Sequence, residues 1–384
     1  MKNVCVVVTA RPSYSRIRTA LFALKQNPDV NLQLVVAASA LLEKYGSVVK
    51  EVKKDGFEIA ASVYSVIEGE TLVTSAKTTG MGIIEMSSVF FNLKPDVVVT
   101  IADRYETIAT AIAAAYMNIP LVHIQGGEVT GNIDEKVRHA ITKLADLHLV
   151  ANEKARERVI KMGEREDKVI ITGCPSIDIA RGVVTTRPFL DFEPTEKYHG
   201  VGNLLPDREK YYVVMQHPVT TEIDQAKAQV KVTLEAMASI DTQVYWFWPN
   251  VDAGSDGFSN AIRTFRETKN PRNMYFFKNM SPDDFLVLLN GSIGIVGNSS
   301  VAIRECAYLG VPAINIGSRQ IGRERGSNVI DVDYDKDQIL AALKTIEIRG
   351  HLPGEPVYGD GLAGDKIAEA IMNTKIDINK ILSY

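Results

Sequence analysis

The chain has 384 residues, 46% hydrophobic and 23% charged, with a net charge of −4 at pH 7 and a pI near 6.0. That is more chain than one ordinary core fills, so two domains are expected, and the acidic balance excludes a global basic field for nucleic acid or anionic lipid. No segment approaches the roughly 20 apolar residues that span a bilayer, and Cys5, Cys174 and Cys306 stand alone in or beside apolar stretches without metal-ligand spacing, so buried thiols in a reducing cytoplasm are expected.

Short β-branched runs alternate with amphipathic stretches of roughly ten to fifteen residues from end to end. The first half offers the strands "NVCVVVTA", "LQLVVAA", "DVVVTI", "LVHI", "LHLVAN" and "KVIITG". Residues 181–210, rich in Pro and Gly and without sustained period, read as a linker. The series then resumes with "YYVVMQH", "VYWFWP", "MYFFKN", "IGIVGN", "AINIG" and "NVIDV", before a Gly/Pro-rich stretch and a last helix from about 365 that can brace the first domain. Continuous apolar strands joined by crossover helices make parallel sheets covered on both faces. The predicted fold is α/β, with doubly wound domains at 1–180 and 211–364 facing a cleft, and a closing helix at 365–384. Ligands of such sheets bind beyond the carboxyl ends of the strands.

Those strand ends carry the candidate chemistry. The first offers Arg11, Ser15 and Arg16, either an anion site or a capped helix with solvated arginines. The absence of GxGxxG counts against a dinucleotide cofactor. Asp103, followed by Arg104 and Glu106, is either a helix cap or a catalytic acid. In "LVHIQGGEVTGNIDEKVRHAITK", residues 121–143, an apolar run stops at Gln125, and Gly126, Gly127, Glu128, Asp134, Glu135, Arg138 and His139 crowd into one strand-to-helix junction. His217 ends the first strand of the second domain, as Arg11 follows that of the first. Asn250 lies in a turn whose composition needs no ligand to explain it. "GNSSVAIRE" places Ser299 and Ser300 at a small-residue turn and Glu305 where a carboxylate can take two ribose hydroxyls; with Arg319 beyond, the group favours a nucleotide diphosphate.

Taken together, "DRYE", "GGEVTGNIDEKVRHAITKLAD", "QHPVTT", "PNVDAGS", "GNSSVAIRE" and "GSRQIGRERGSNVIDV" resemble, in order, the motifs of the hydrolysing UDP-N-acetylglucosamine 2-epimerases of sialic acid and related sugar biosynthesis. The resemblance covers roughly residues 4–332. It implies two Rossmann-like domains of the GT-B kind, with UDP held mainly by the second. It marks Arg11, Arg104, His217, Asn250, Asn279, Ser299, Ser300, Glu305 and Arg319 as nucleotide contacts, and Asp103, position 125 and Asp134 as acid/base positions. Ser15, Arg16 and Arg138 join the expected substrate contacts, and Glu128 and His217 the catalytic set. The chain departs from the pattern in having Gln125 where the sialic acid enzymes have Glu, and its "ARPSYSR" loop resembles the non-hydrolysing 2-epimerases.

The implied chemistry is elimination of UDP with loss of the C2 proton, giving a 2-acetamidoglucal, then addition of water at C1 and return of a proton to the other face of C2. Two carboxyl groups with separated pKa values suit this. Asp103 and Asp134 can form that pair; Gln125 can only orient by hydrogen bonds, and Glu128 or Glu135 can supply the missing carboxylate. Gly126 and Gly127 would let the sugar approach the backbone. The expected partner is a UDP-sugar, with no metal and no cofactor, in a homodimer or homotetramer. A non-hydrolysing 2-epimerase and a GT-B glycosyltransferase are the alternatives.

Overall fold

The computed structural model describes residues 1–43, 47–68, 71–101, 104–129, 133–219, 221–249 and 255–383. They divide into two compact units: Met1–Asp178 with Tyr358–Tyr384, and Ile179–Val357.

The first unit holds seven strands: β1 (Lys2–Val8), β2 (Val30–Ala37), β3 (Ile59–Val63), β4 (Val97–Ile101), β5 (Leu121–Ile124), β6 (Leu147–Val150) and β7 (Val169–Ile171). They lie in the order β3-β2-β1-β4-β5-β6-β7, every neighbouring pair parallel. Alternate residues feed opposite cores: Val4, Val6 and Val8 join Leu34 and Val36 on one face, while Cys5 and Val7 join Val35 and Ala37 on the other. Burial on both faces is why these strands read as unbroken apolar runs. β3 escapes the sequence reading because "IAASV" is short, Ala-rich and half exposed at the sheet edge.

The helix Ala363–Asn373 belongs to this unit, where Ala363, Ile367 and Ile371 enter the same core as Leu21 and Leu24 of the helix Arg18–Gln26. Asp178 caps it: its carboxylate accepts from the Ala363 and Gly364 N–H groups at 2.8 and 2.7 Å, and from the Thr19 hydroxyl at 2.7 Å.

In the second unit β8 (Gly200–Gly202), β9 (Tyr211–Met215), β10 (Gln243–Phe247), β11 (Met274–Phe277), β12 (Gly294–Gly297), β13 (Ala313–Ile316) and β14 (Val329–Val332) lie in the order β14-β13-β12-β9-β10-β11-β8. All pair in parallel except β8, which runs antiparallel to β11. Tyr212, Val214 and Trp246 face one core and Tyr211, Val213 and Tyr245 the other.

Residues 181–210 are not a linker. They continue the helix Pro175–Thr186, form the helix Pro194–Lys197 and supply β8, while Leu190, Phe192, Tyr198 and Leu204 pack on the core. The prolines and glycines that suggested a linker have local uses. Pro194 opens its helix, and a Cβ at Gly200 or Gly202 would stand 2.4 or 2.3 Å from a carbonyl oxygen of β11. The second unit accordingly starts at Ile179 and ends at Val357, not at 211 and 364. Among the described residues no helix is long and apolar enough to cross a membrane.

Candidate functional site

In each sheet the strand order reverses once, between β1 and β4 in the first unit and between β9 and β12 in the second. Crevices at such reversals are where open α/β sheets bind ligands. At the first, Thr9 and Thr107 share a hydrogen bond of 3.0 Å across the ends of β1 and β4. Glu106, 3% exposed, receives Arg104 Nε at 3.3 Å and the Ser39 hydroxyl at 2.8 Å. Arg104 is thereby held by a buried carboxylate two residues on. The helix after β1 is only Arg11–Ser15, so a strong macrodipole does not develop there. The anion reading passes to the arginines themselves: Arg11 Nη2 donates to Glu51 at 3.2 Å, and half-buried Arg16 caps the helix that Ser15 ends. Asp103 lies outside the described residues.

β5 delivers Gln125 in a left-handed conformation, φ 67°, with 2% of its surface exposed. Its Nε2 donates to the Cys174 Sγ at 2.8 Å, and that sulfur shares a 3.0 Å hydrogen bond with the Ser176 hydroxyl. The following glycines let the chain pack closely on itself. A Cβ at Gly126 would meet Thr142 Oγ1 at 3.0 Å, and one at Gly127 would meet the Ala155 carbonyl oxygen at 2.3 Å. Glu128 is 3% exposed, and its carbonyl accepts from Nη1 of Arg138, itself 1% exposed, at 2.6 Å. Arg138 thus anchors the main chain at Glu128. Asp134 stands half-buried in the first turn of the helix Ile133–Leu144; Glu135, beside it, approaches His139 Nε2 at 3.4 Å one turn on.

At the second reversal Asn298, fully buried, clasps the end of β9: its Oδ1 accepts the His217 N–H at 2.7 Å and its Nδ2 donates to the His217 carbonyl at 2.9 Å. Gly297 permits this closeness, with φ 135° and a hypothetical Cβ only 2.2 Å from the Met215 carbonyl oxygen. The Asn298 carbonyl accepts from Gln320 Nε2 at 2.8 Å and Arg319 Nη1 at 3.2 Å, so Arg319 is drawn to the same strand end. Ser299 caps the short 3₁₀ turn Ser300–Ala302, and the Ser300 hydroxyl accepts from Arg304 at 2.9 Å. Glu305 opens a separate helix, Glu305–Leu309, instead of lying within one that starts at the serines. It is 8% exposed, and its Oε2 has no hydrogen-bond partner among the described residues. A buried carboxylate oxygen in that state is costly unless a ligand donates to it. Glu222 ties this region together through Gln229 at 2.6 Å and the Ser318 hydroxyl. Nearby, burial first and Glu222 second push the Tyr334 phenol up to about 12.

A model of the UDP-N-acetylglucosamine 2-epimerase family matches residues 22–372. The chain belongs to the UDP-N-acetylglucosamine 2-epimerase family. It is 32% identical over 388 residues to a Legionella pneumophila protein described as UDP-N,N'-diacetylbacillosamine 2-epimerase (hydrolyzing), covering 100% of both chains. It is 30% identical to a UDP-N-acetylglucosamine 2-epimerase of Neisseria meningitidis, covering 97% of this chain and 96% of the relative. The crystal structure of UDP-GlcNAc 2-epimerase from Neisseria meningitidis bound to UDP-GlcNAc superposes with a TM-score of 0.76 at 17% identity, over 97% of this chain and 100% of that one. The fold is GT-B-like, two Rossmann-like domains, and a lipopolysaccharide outer core galactosyltransferase shares it at a TM-score of 0.52.

For a chain of the 2-epimerase family, the structure gathers the expected residues into two sets. Arg11, Arg104, Gln125, Glu128 and Asp134 follow the carboxyl ends of β1, β4 and β5, and His217, Ser299, Ser300, Glu305 and Arg319 follow those of β9, β12 and β13. Asn279 is exposed just past β11, and Asn250 lies outside the described residues. Sequence reasoning missed the residues that hold these in place. The Asn298 clasp was visible only as part of a small-residue turn, Cys174 only as a buried thiol, and Ser39 gave no signal.

Proposed function

We propose that this chain is a hydrolysing 2-epimerase acting on a UDP-linked 2-acetamido sugar, with a 2,4-diacetamido sugar of the bacillosamine type as the favoured substrate. The observation that carries the reading is the end-to-end relationship to the Legionella protein described as a hydrolysing UDP-N,N'-diacetylbacillosamine 2-epimerase. The partnerless Oε2 of Glu305 supports it, because two vicinal ribose hydroxyls are donors that answer a buried acceptor.

In this reading the second unit holds UDP, with Glu305 on the ribose and Ser299, Ser300 and Arg319 toward the diphosphate. Cleavage of the C1–O bond sends an electron pair to UDP, and donors around the departing oxygens stabilise the charge that develops. Asp103 takes the C2 proton, leaving a C1–C2 double bond. Water then adds at C1, its remaining proton is released, and Asp134 returns a proton to C2 from the other face. The sum is one water consumed, and UDP and the C2-epimeric free sugar released.

Incubation with UDP-N-acetylglucosamine and UDP-N,N'-diacetylbacillosamine, followed by proton NMR, tests this. Free UDP and free C2-epimeric sugar are expected in equal amounts. Epimerised sugar still attached to UDP would indicate the non-hydrolysing reaction, and UDP release only with added acceptor would indicate a glycosyltransferase.

A further inference from the structure

The helix Ile133–Leu144, whose first turn carries Asp134, is held at its far end by a charged cluster around a buried carboxylate that the proposed chemistry does not use. Glu164, 3% exposed, is its centre: Oε1 accepts from Lys143 Nζ at 2.6 Å, while Oε2 receives Lys380 Nζ at 2.6 Å and lies 3.0 Å from His148 Nε2. Lys380 also donates to the carbonyls of Ala145 at 2.6 Å and Thr142 at 3.1 Å. Its neighbours are tied down as well, Ser383 N–H to the Gly163 carbonyl at 2.9 Å and Lys168 Nζ to the Lys375 carbonyl at 2.9 Å.

An ammonium has three N–H donors, and here one carboxylate oxygen and two carbonyls at the end of a helix accept them. The last carbonyls of a helix lack internal partners and carry the negative end of its dipole, so a cation from elsewhere in the chain both satisfies and attracts them. His123 Nδ1 meets Thr142 Oγ1 at 3.1 Å, which fixes the same turn from the sheet side. A helix of 12 residues moves nearly as a rod, so whatever sets its last turn sets where its first turn lies.

We propose that Lys380 is a positioning residue that fixes the helix Ile133–Leu144 from its carboxyl end and so places Asp134. The proposal rests on the reading of Asp134 as the acid that returns the C2 proton. Displacing a reacting group by about an ångström costs on the order of a hundredfold in rate.

The test compares native protein with Lys380→Met, which removes the donors and the charge, and Lys380→Arg, which restores both. Hydrogen exchange of the amides of Val137–Leu144 is expected to speed up in Lys380→Met and to return toward native in Lys380→Arg. Turnover of UDP-sugar is expected to fall about ten- to hundredfold in Lys380→Met with KM changed less than about threefold, and UDP affinity by calorimetry should stay as in the native protein. Native exchange in Lys380→Met overturns the anchoring, and this readout needs no substrate, so it stands apart from the assigned reaction. Faster exchange with native turnover overturns the catalytic consequence. A common loss of turnover, UDP affinity and melting temperature overturns it too, in favour of general stabilisation. If Lys380→Met does not fold, Lys380→Gln, which keeps two donors without charge, takes its place against the same outcomes.

Discussion

Replacing Asn298 by Ala removes both bonds to the His217 main chain, 2.7 Å to its N–H and 2.9 Å to its carbonyl, at a site where His217 is only 4% exposed. A buried main-chain group left without a partner costs about 1–3 kcal/mol, so two lost together set an upper range of about 2–6 kcal/mol. The vacated side-chain volume lets water answer part of that need, which brings the expected loss to about 2–4 kcal/mol. Asn298→Asp separates the two bonds: it keeps an acceptor for the N–H but sets an oxygen against the carbonyl. It should cost at least as much as one lost bond, and more once ionised. The chain's two tryptophans, Trp246 and Trp248, both lie in the second unit, so urea unfolding followed by their fluorescence reports on this unit alone. The main-chain carbonyl of residue 298, which the substitution keeps, accepts from Arg319 and Gln320, so UDP calorimetry on the same samples should show weaker binding through the shift of that carbonyl once the clasp is released. An unchanged urea midpoint and unchanged UDP affinity in Asn298→Ala would refute the argument that the clasp builds this strand end.

Glu305→Gln should weaken UDP by about 1.5–3 kcal/mol, the scale of a charge-assisted hydrogen bond, without lowering stability, since it removes a buried charge; calorimetry and urea unfolding read the two separately, and equal UDP affinity would remove Glu305 from the ribose. In the first unit, burial alone would raise the Glu164 carboxyl, yet hydrogen bonds from His148, Lys143 and Lys380 hold it down to about 2 from 4.5, while burial lowers His148 from 6.5. Both depressed values mean stability present at neutral pH and lost in acid, through His148 below about 6.5 and through Glu164 between about 4.5 and 2, the latter worth on the order of 3 kcal/mol. Circular dichroism of acid unfolding should therefore show a flatter profile below pH 4.5 in Glu164→Gln. Gln125→Glu restores an ionisable group at nearly constant size and should raise the ratio of epimerised free sugar to escaped glycal, followed by NMR in deuterated water; no glycal from the native chain and no gain in the variant would leave position 125 a purely orienting residue.

Much of the fold was legible because the inner strands of each sheet are buried on both faces, so β1, β2, β4 and the strands β9 to β13 appear as apolar runs that only a covered parallel sheet explains. The exceptions are the edges. β3 is half exposed and Ala-rich, and β8 is three residues of Gly-Val-Gly whose pairing depends on the absence of side chains. Pro and Gly in residues 181–210 gave a true local signal, turns and close approaches, but the step to a linker failed because scattered Leu190, Phe192, Tyr198 and Leu204 have no period and still reach the core. Periodicity detects amphipathic elements; it is blind to single anchors.

The candidate site was legible as residue types at strand ends and illegible as partners, since hydrogen bonds between residues far apart in sequence leave no local pattern. Gln125 shows the difference. Against the Glu that the sequence resemblance implies, it reads as the loss of a carboxylate, yet here its amide nitrogen donates to the Cys174 sulfur, which in turn meets Ser176. A carboxylate in that place has no proton to donate, so the thiol would have to direct its S–H toward residue 125. Gln125 and Cys174 are therefore a matched pair, donor and acceptor, and the positive φ at 125 holds the amide to one side of the strand end. It follows that a Glu placed at 125 is accommodated only if the thiol reorients. Cys174→Ser, with a stronger hydroxyl donor on a shorter side chain, is the second substitution that should make Gln125→Glu fully effective.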